Sequence, residues 1–147
     1  GGRRIGEIGL NAALAGSFGV PLIFLAGDGA ACREAEALLP GVRTVAVKEA
    51  IGAYAAAGPH PIRCREAIYS AAKQVTANPP AVAPLVLAAP VELVVRCTTA
   101  SGADRAGMIP RTTRLDDLTV RYVAYDVVEA FMACNAMTCL VELVPFI

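Results

Sequence analysis

The apolar positions of this chain change period as it proceeds, and that change is the first guide to its organisation. From Glu7 to Ala15, the residues Ile8, Leu10, Ala12 and Leu14 sit among small neighbours, a pattern that suits a helix with Gly16 placed to end it. Val20 to Ala26 is then a continuous apolar run that includes Leu22, Ile23, Phe24 and Leu25. Without polar alternation it reads as a strand covered on both faces, as strands of parallel sheets are. Gly27-Asp28-Gly29 breaks the run, and Asp28 is positioned to cap a helix from Ala31 to Leu39. Pro40-Gly41 closes that helix, and Val42 to Val47 supplies a second strand. The result is a helix–strand–helix–strand unit, for which a right-handed parallel crossover is the default.

After Lys48 the pattern shifts. Lys48 to Ala57 is expected to be helical, and Gly58-Pro59-His60-Pro61 to form a turn. Ile62 to Val75 gives a clearer helix, because Cys64, Ala67, Ile68, Ala71 and Val75 form a stripe at helical spacing. Asn78-Pro79-Pro80 stops it. Ala81 to Pro90 is proline-punctuated and extended, and in Val91 to Cys97 the residues Val91, Leu93 and Val95 alternate with Glu92, Val94 and Arg96 as in a half-buried strand. Ser101 to Ile109 fits a short helix with Ser101 as its cap and Asp104 in its first turn. Thr113 to Leu115 and Thr119 to Tyr125 pair as a hairpin around Asp116-Asp117, and Asp126 to Met137 forms a final helix. The expected fold class is α/β: a partial parallel three-layer α/β unit at 1–50, followed by a smaller α+β domain at 51–147, with the boundary near residues 48–60.

Composition narrows the function classes. The 147 residues are long enough to bury roughly two-thirds of the unfolded surface. Apolar residues make up 56% of the chain and are rich in Ala and Val, which favours thin helices packed closely on a sheet and argues against disorder. Thirteen basic and thirteen acidic side chains cancel, so no net field recruits nucleic acid or an anionic membrane. The most apolar stretch, Pro80 to Val95, is broken by Pro84, Pro90 and Glu92 and is a poor membrane span. Cys32, Cys64, Cys97, Cys134 and Cys139 form no paired spacing, which suits a reducing cytoplasm with cysteines acting as small buried hydrophobes.

Topology brings three polar residues together. A helix preceding a parallel strand runs antiparallel to it, so Glu7 is expected near the strand's carboxyl edge, where Asp28 and Lys48 follow the ends of the two strands. Open α/β sheets bind ligands at that edge. Each residue also has a plainer role. Glu7 favours the positive end of a helix dipole, Asp28 caps a helix, and Lys48 is a solvated or ion-paired lysine. Asn11, one turn beyond Glu7, either orients the carboxylate or satisfies a backbone group. His60, the single histidine, stands alone between prolines and is read as structural. Asp116, Asp117 and Asp126 are read as turn and cap residues.

The stretch Gly6-Glu7-Ile8-Gly9-Leu10-Asn11 resembles a motif of the zinc-dependent D-aminopeptidase family, the self-compartmentalising enzymes first associated with a dipeptide-transport operon. The resemblance continues through Gly19-Val20-Pro21, Gly27-Asp28, Val47 to Gly52 and His60-Pro61. It extends to Ala103-Asp104-Arg105-Ala106, Met108-Ile109-Pro110, Thr119-Val120 and Tyr125-Asp126. It implies a metallo-aminopeptidase that removes N-terminal residues from short D-amino-acid peptides at a two-zinc centre, with subunits assembled as a homo-oligomeric decamer. Zinc would polarise the peptide carbonyl and activate water. Glu7 matches a metal ligand of the family, and Asn11, Asp28 and Lys48 are candidate site-edge residues.

The family's Ser-x-Asp-x-Glu-Gly motif and its metal-binding histidines have no counterpart here, so the chain is expected to be the carboxyl-terminal half of such an enzyme, inactive alone. The apolar stretch Thr138 to Ile147 reads as an altered tail. Two other functions compete: a non-catalytic assembly module whose smaller α+β unit makes subunit contacts, and an unrelated ligand-binding protein using the Asp28 edge.

Overall fold

A computed structural model describes residues 2–141 in full and the backbone of Glu142; the second half of the expected altered tail, 143–147, lies outside the described residues. The chain is mixed α/β and divides into two compact units, Gly1–Leu85 and Val86–Ile147. The change in sequence character at residues 48–60 lies inside the first unit.

Helix α1 (Glu7–Ser17) opens the first unit. Its buried face is built from Gly9, Ala12, Ala13 and Gly16, so neighbouring backbone comes close to it. Gly16 does not end the helix as expected. It is inside α1, with the backbone carbonyl of Leu85 in the space a side chain would need. The stop comes three residues later, where Gly19 takes a φ of 73° and Val20 N–H returns to Ala15 O at 3.0 Å. A left-handed residue at that point is the normal helix C-terminal device, and glycine adopts it without steric cost.

Strand β1 (Phe24–Asp28), helix α2 (Gly29–Leu38) and strand β2 (Arg43–Ala50) follow. The two strands pair in parallel, with Phe24 opposite Arg43 and Gly27 opposite Ala46, as the uninterrupted apolar run led us to expect. A register shift after Gly27 then sets Asp28 opposite Lys48. Helix α2 packs on both strands, and Ala12, Ala35, Leu39, Val42 and Val82 form the core beneath it. Leu39 is 3% exposed, and burying such a side chain contributes about 1.5–3 kcal/mol.

The helix expected over Lys48 to Ala57 does not form. Strand β2 continues to Ala50, the chain turns with Ile51 N–H bonded to Ala55 O, and β3 (Ala56–Ala57) pairs back antiparallel on Glu49 and Ala50. Alanine propensity loses here because extended pairing satisfies the backbone of this short segment. Helix α3 (Pro61–Ala77) packs against β2, burying Ala71 and Val75.

In the second unit, β4 (Val91–Arg96), β5 (Thr112–Arg114) and β6 (Thr119–Ala124) form an antiparallel sheet in the order β4-β6-β5. The alternation read from β4 is realised, with Val91, Leu93 and Val95 partly buried and Glu92, Val94 and Arg96 exposed. The expected hairpin is also present, with Thr113 opposite Arg121. Helix α4 (Ala100–Ala106) begins one residue before Ser101, and its cap is Thr99, whose hydroxyl accepts from Gly102 N–H at 3.1 Å. Helix α5 (Val127–Glu142) outlasts its expected end and places Ala130, Ala133 and Met137 in a core with Val120, Tyr122 and Ala103.

Candidate functional site

The carboxyl edge of the β1–β2 pair gathers several polar groups. Asp28 ends β1 and caps α2, its Oδ1 accepting from Ala31 N–H at 2.8 Å. Its register partner Lys48 is exposed. Next to Lys48, the carboxylate of Glu49 lies against Gly29, in the place a side chain on that residue would occupy. Glu49 also faces Arg33 at 3.8 Å, but the two side chains are 60% and 68% exposed, so solvent leaves this pair worth under about 1 kcal/mol.

The start of α3 adjoins the same edge. Gly58 comes against Val47 O and the Lys48 backbone, leaving no room for a side chain there. His60 then acts as the cap of α3, with Nδ1 accepting from Ile62 N–H at 3.3 Å, which is the structural role read from its sequence context. Cys64, one turn on, directs its thiol at Val47 O and Pro59 O at 3.6 and 3.5 Å. The β2 end and the α3 start are thereby joined through backbone contacts.

Glu7 occupies the first position of α1 and is exposed, and among the described residues its carboxylate makes no hydrogen bond or ion pair. Asn11 donates from Nδ2 to the backbone carbonyl of Glu7 at 2.9 Å, so it satisfies the helix backbone and leaves the carboxylate unheld. A second carboxylate stands at the same helix end: Glu34 of α2 accepts from Gly6 N–H at 3.2 Å. The structure therefore joins Asp28 with Lys48 by register and brings Glu34 of α2 onto the Gly6 N–H at the start of α1. Sequence reading missed Glu34 and Glu49. For Glu34 the signal was weak, because a glutamate in mid-helix has the look of a solvated residue until α1 is laid against it.

Among the described residues, no three His, Cys, Asp or Glu side chains are grouped to hold a metal ion. A catalytic zinc pair needs several such donors, so the residues present do not fit a two-zinc centre by themselves.

The second unit carries a different polar cluster. Arg111, with a φ of 70°, lies with its guanidinium 4.9 Å from the Tyr122 ring centre and 5.1 Å from that of Tyr125. It donates to the Tyr122 hydroxyl and to Glu129 Oε1. The Tyr125 N–H, followed by the Arg111 guanidinium, holds the Glu129 carboxyl below its ordinary range. Burial pushes the Tyr122 phenol up. Asp126 caps α5 by accepting from Glu129 N–H at 2.8 Å, as its sequence position suggested. Asp116 accepts from Leu118 N–H at the hairpin tip, and that bond lowers its carboxyl. This cluster ties α5 to β6 through Arg111, Tyr122 and Glu129.

Comparison with known proteins gives a consistent result. The family model described as D-aminopeptidase matches residues 1–136. The D-aminopeptidase of Bacillus subtilis (strain 168) is 34% identical over 137 residues, which is 92% of this chain and 50% of that relative. A solved structure, the zinc-dependent D-aminopeptidase DppA from Bacillus subtilis, described as a self-compartmentalizing protease, superposes with a TM-score of 0.89 at 33% identity. That match covers 99% of this chain and 54% of the solved one, so the chain spans about half the length of the relatives it matches.

Proposed function

Since the chain belongs to the D-aminopeptidase family, we propose that it is the carboxyl-terminal part of a zinc metallo-aminopeptidase that acts on short D-amino-acid peptides, incomplete and inactive alone. The observation that carries this reading is Glu7: the motif glutamate opens α1 with an exposed carboxylate that no other described group engages. A ligand awaiting a metal needs an uncommitted carboxylate, whereas one serving only as a helix cap would be bonded to the backbone. Glu34 engages the neighbouring Gly6 N–H, one carboxylate does not complete a binuclear centre, and the remaining donors would come from the part of the enzyme this chain does not span.

In the same reading, Asp28 and Lys48 border the site and shape its rim, with Asp28 committed to the α2 cap. The domain division at 1–50 and 51–147 describes the expected split between catalytic and smaller domains in the whole enzyme. The relative is described as a self-compartmentalizing protease, which supports a homo-oligomer here as well. Free cysteines support a reducing, cytoplasmic setting, and among the described residues no helix is long and apolar enough to cross a membrane.

The test is metal content joined to activity. Purified chain, alone and together with the portion of the Bacillus subtilis relative outside the match, is assayed for zinc and for cleavage of a dipeptide with an N-terminal D-residue. Zinc and turnover in the mixture, both lost in Glu7→Gln, are the expected result. Zinc-free protein in both samples would leave the non-catalytic assembly module as the better account.

A further inference from the structure

Helices α1 and α2 run side by side in the same direction, because Gly6 lies against Glu34 and Gly9 against Leu38. Helix α2 starts where β1 ends, so both helices begin toward the carboxyl edge of the strand pair. Glu34 is five residues beyond Gly29, which sets the start of α1 about 7.5 Å along the α2 axis from that edge. The carboxylates of Glu7, Asp28, Glu34 and Glu49 stand toward this end. Asp28 is spent on the α2 cap and Glu34 on the Gly6 N–H. Glu7 is the proposed metal ligand. Glu49 differs from all three. It reaches from β2 onto α2, where its carboxylate fills the space that any side chain on Gly29 would close. Its partner there is Arg33 at 3.8 Å, a pair so open to water that it is readily exchanged. The shift of register between Gly27–Ala46 and Asp28–Lys48 lies just before it, and such irregularities re-aim the side chains that follow.

We propose that Glu49 receives the free α-ammonium group of the peptide substrate, in an ion pair that displaces Arg33. The inference rests on the peptidase reading. An enzyme that removes N-terminal residues has to tell a free amine from an acylated one, and a carboxylate held in place but not committed to the backbone makes that distinction. It gains a charge-assisted hydrogen bond from the ammonium and nothing comparable from an amide. Gly29 fixes where the carboxylate stands, and the exposed pair with Arg33 leaves its oxygens available. Asp28 and Glu34 lack that freedom, because each already accepts a backbone N–H.

The experiment titrates the complete chain, stripped of metal by a chelator, with D-leucylglycine and with N-acetyl-D-leucylglycine, and follows backbone amide shifts by NMR. The free amine is expected to move the Gly29 and Glu49 amides and to bind at least tenfold more tightly than the acetylated peptide. Glu49→Gln keeps the shape of the side chain and is expected to melt within a few degrees of the parent while losing that preference. Gly29→Ala, which fills the seat of the carboxylate, should lose it as well. A role of Glu49 confined to steadying α2 would move the melting temperature and leave the preference intact. Equal binding of the two peptides, a preference retained in Glu49→Gln, or binding of neither peptide would each overturn the proposal. Zinc and turnover lost in Glu7→Gln, with no amine preference at Glu49, would leave the peptidase reading standing and remove this inference alone. An amine preference in protein that takes up no zinc upholds Glu49 and counts against the zinc reading alone.

Discussion

The backbone N–H of Gly6 donates to Glu34 Oε1 at 3.2 Å, so a carboxylate from α2 closes the open end of the helix that begins with Glu7. Helix α1 has no side-chain cap of its own, and Glu34 takes that part from another element. Glu34→Ala is expected to lower stability by about 0.5–1.5 kcal/mol. Glu34→Gln, which keeps an acceptor oxygen, should recover most of it. Urea unfolding of the three proteins measures the difference, and equal midpoints would remove Glu34 from any role at the start of α1.

Asp28 is engaged as the α2 cap, which separates its structural role from a catalytic one. Asp28→Ala should cost about 1 kcal/mol, and Asp28→Ser, which retains a capping oxygen, much less. If Asp28 is only a rim residue, zinc content of the reconstituted enzyme should be the same in Asp28→Ser as in the parent. Loss of metal in that variant would promote Asp28 to a ligand.

Gly16 offers a test of sign. In an exposed helix, Gly→Ala stabilises by about 1 kcal/mol. At position 16 the added methyl meets the Leu85 backbone, which cannot swing aside, so destabilisation by about 1–3 kcal/mol is expected. Gly52→Ala, where nothing lies within 4 Å, should change stability by less than about 0.5 kcal/mol. Thermal denaturation of both variants decides whether backbone contact or helix propensity dominates at Gly16.

Glu129 supplies a pH dependence. Its native carboxyl is held below the ordinary value of 4.5, first by the Tyr125 N–H and then by the Arg111 guanidinium. A depressed native value stabilises the fold at pH above the unfolded value, and the contribution fades as pH falls from about 4.5 through the native one. The parent should therefore lose stability on acidification more steeply than Glu129→Gln over that interval. Urea midpoints collected from pH 6 down to pH 3 test this, and parallel curves for the two proteins would show that Glu129 does not contribute.

Much of this architecture was readable before the structure, for identifiable reasons. The unbroken apolar run from Val20 to Ala26 pointed to a parallel strand, which forms from Phe24 onward, and Asp28 declared a cap because the next residues are helical. The β4 alternation worked for the same kind of reason: one face meets Val120 and Tyr122, the other meets solvent. Reading failed where partners are distant in sequence. Residues 48–50 and 56–57 are extended around a turn because Glu49 and Ala50 find Ala57 and Ala56, which local propensity does not register. The Gly16 error has the same origin, since a helix glycine kept for contact with Leu85 resembles one kept as a stop. Around Glu7, the motif identified the carboxylate, but Asn11 turned to the backbone and Glu34 arrived from α2, neither of which spacing alone decides.

The seat of Leu85 against Gly16 has a topological consequence. It brings the far ends of the first unit together, so the intervening chain is a closed circuit secured at both margins. A protease that severed the protruding turn at Ile51 to Ala55 would open the circuit without releasing either piece, because β1 grips β2 before the cut and helix α3 still presses on the strand from beyond it. The clasp lets the unit be broken at that turn and remain whole.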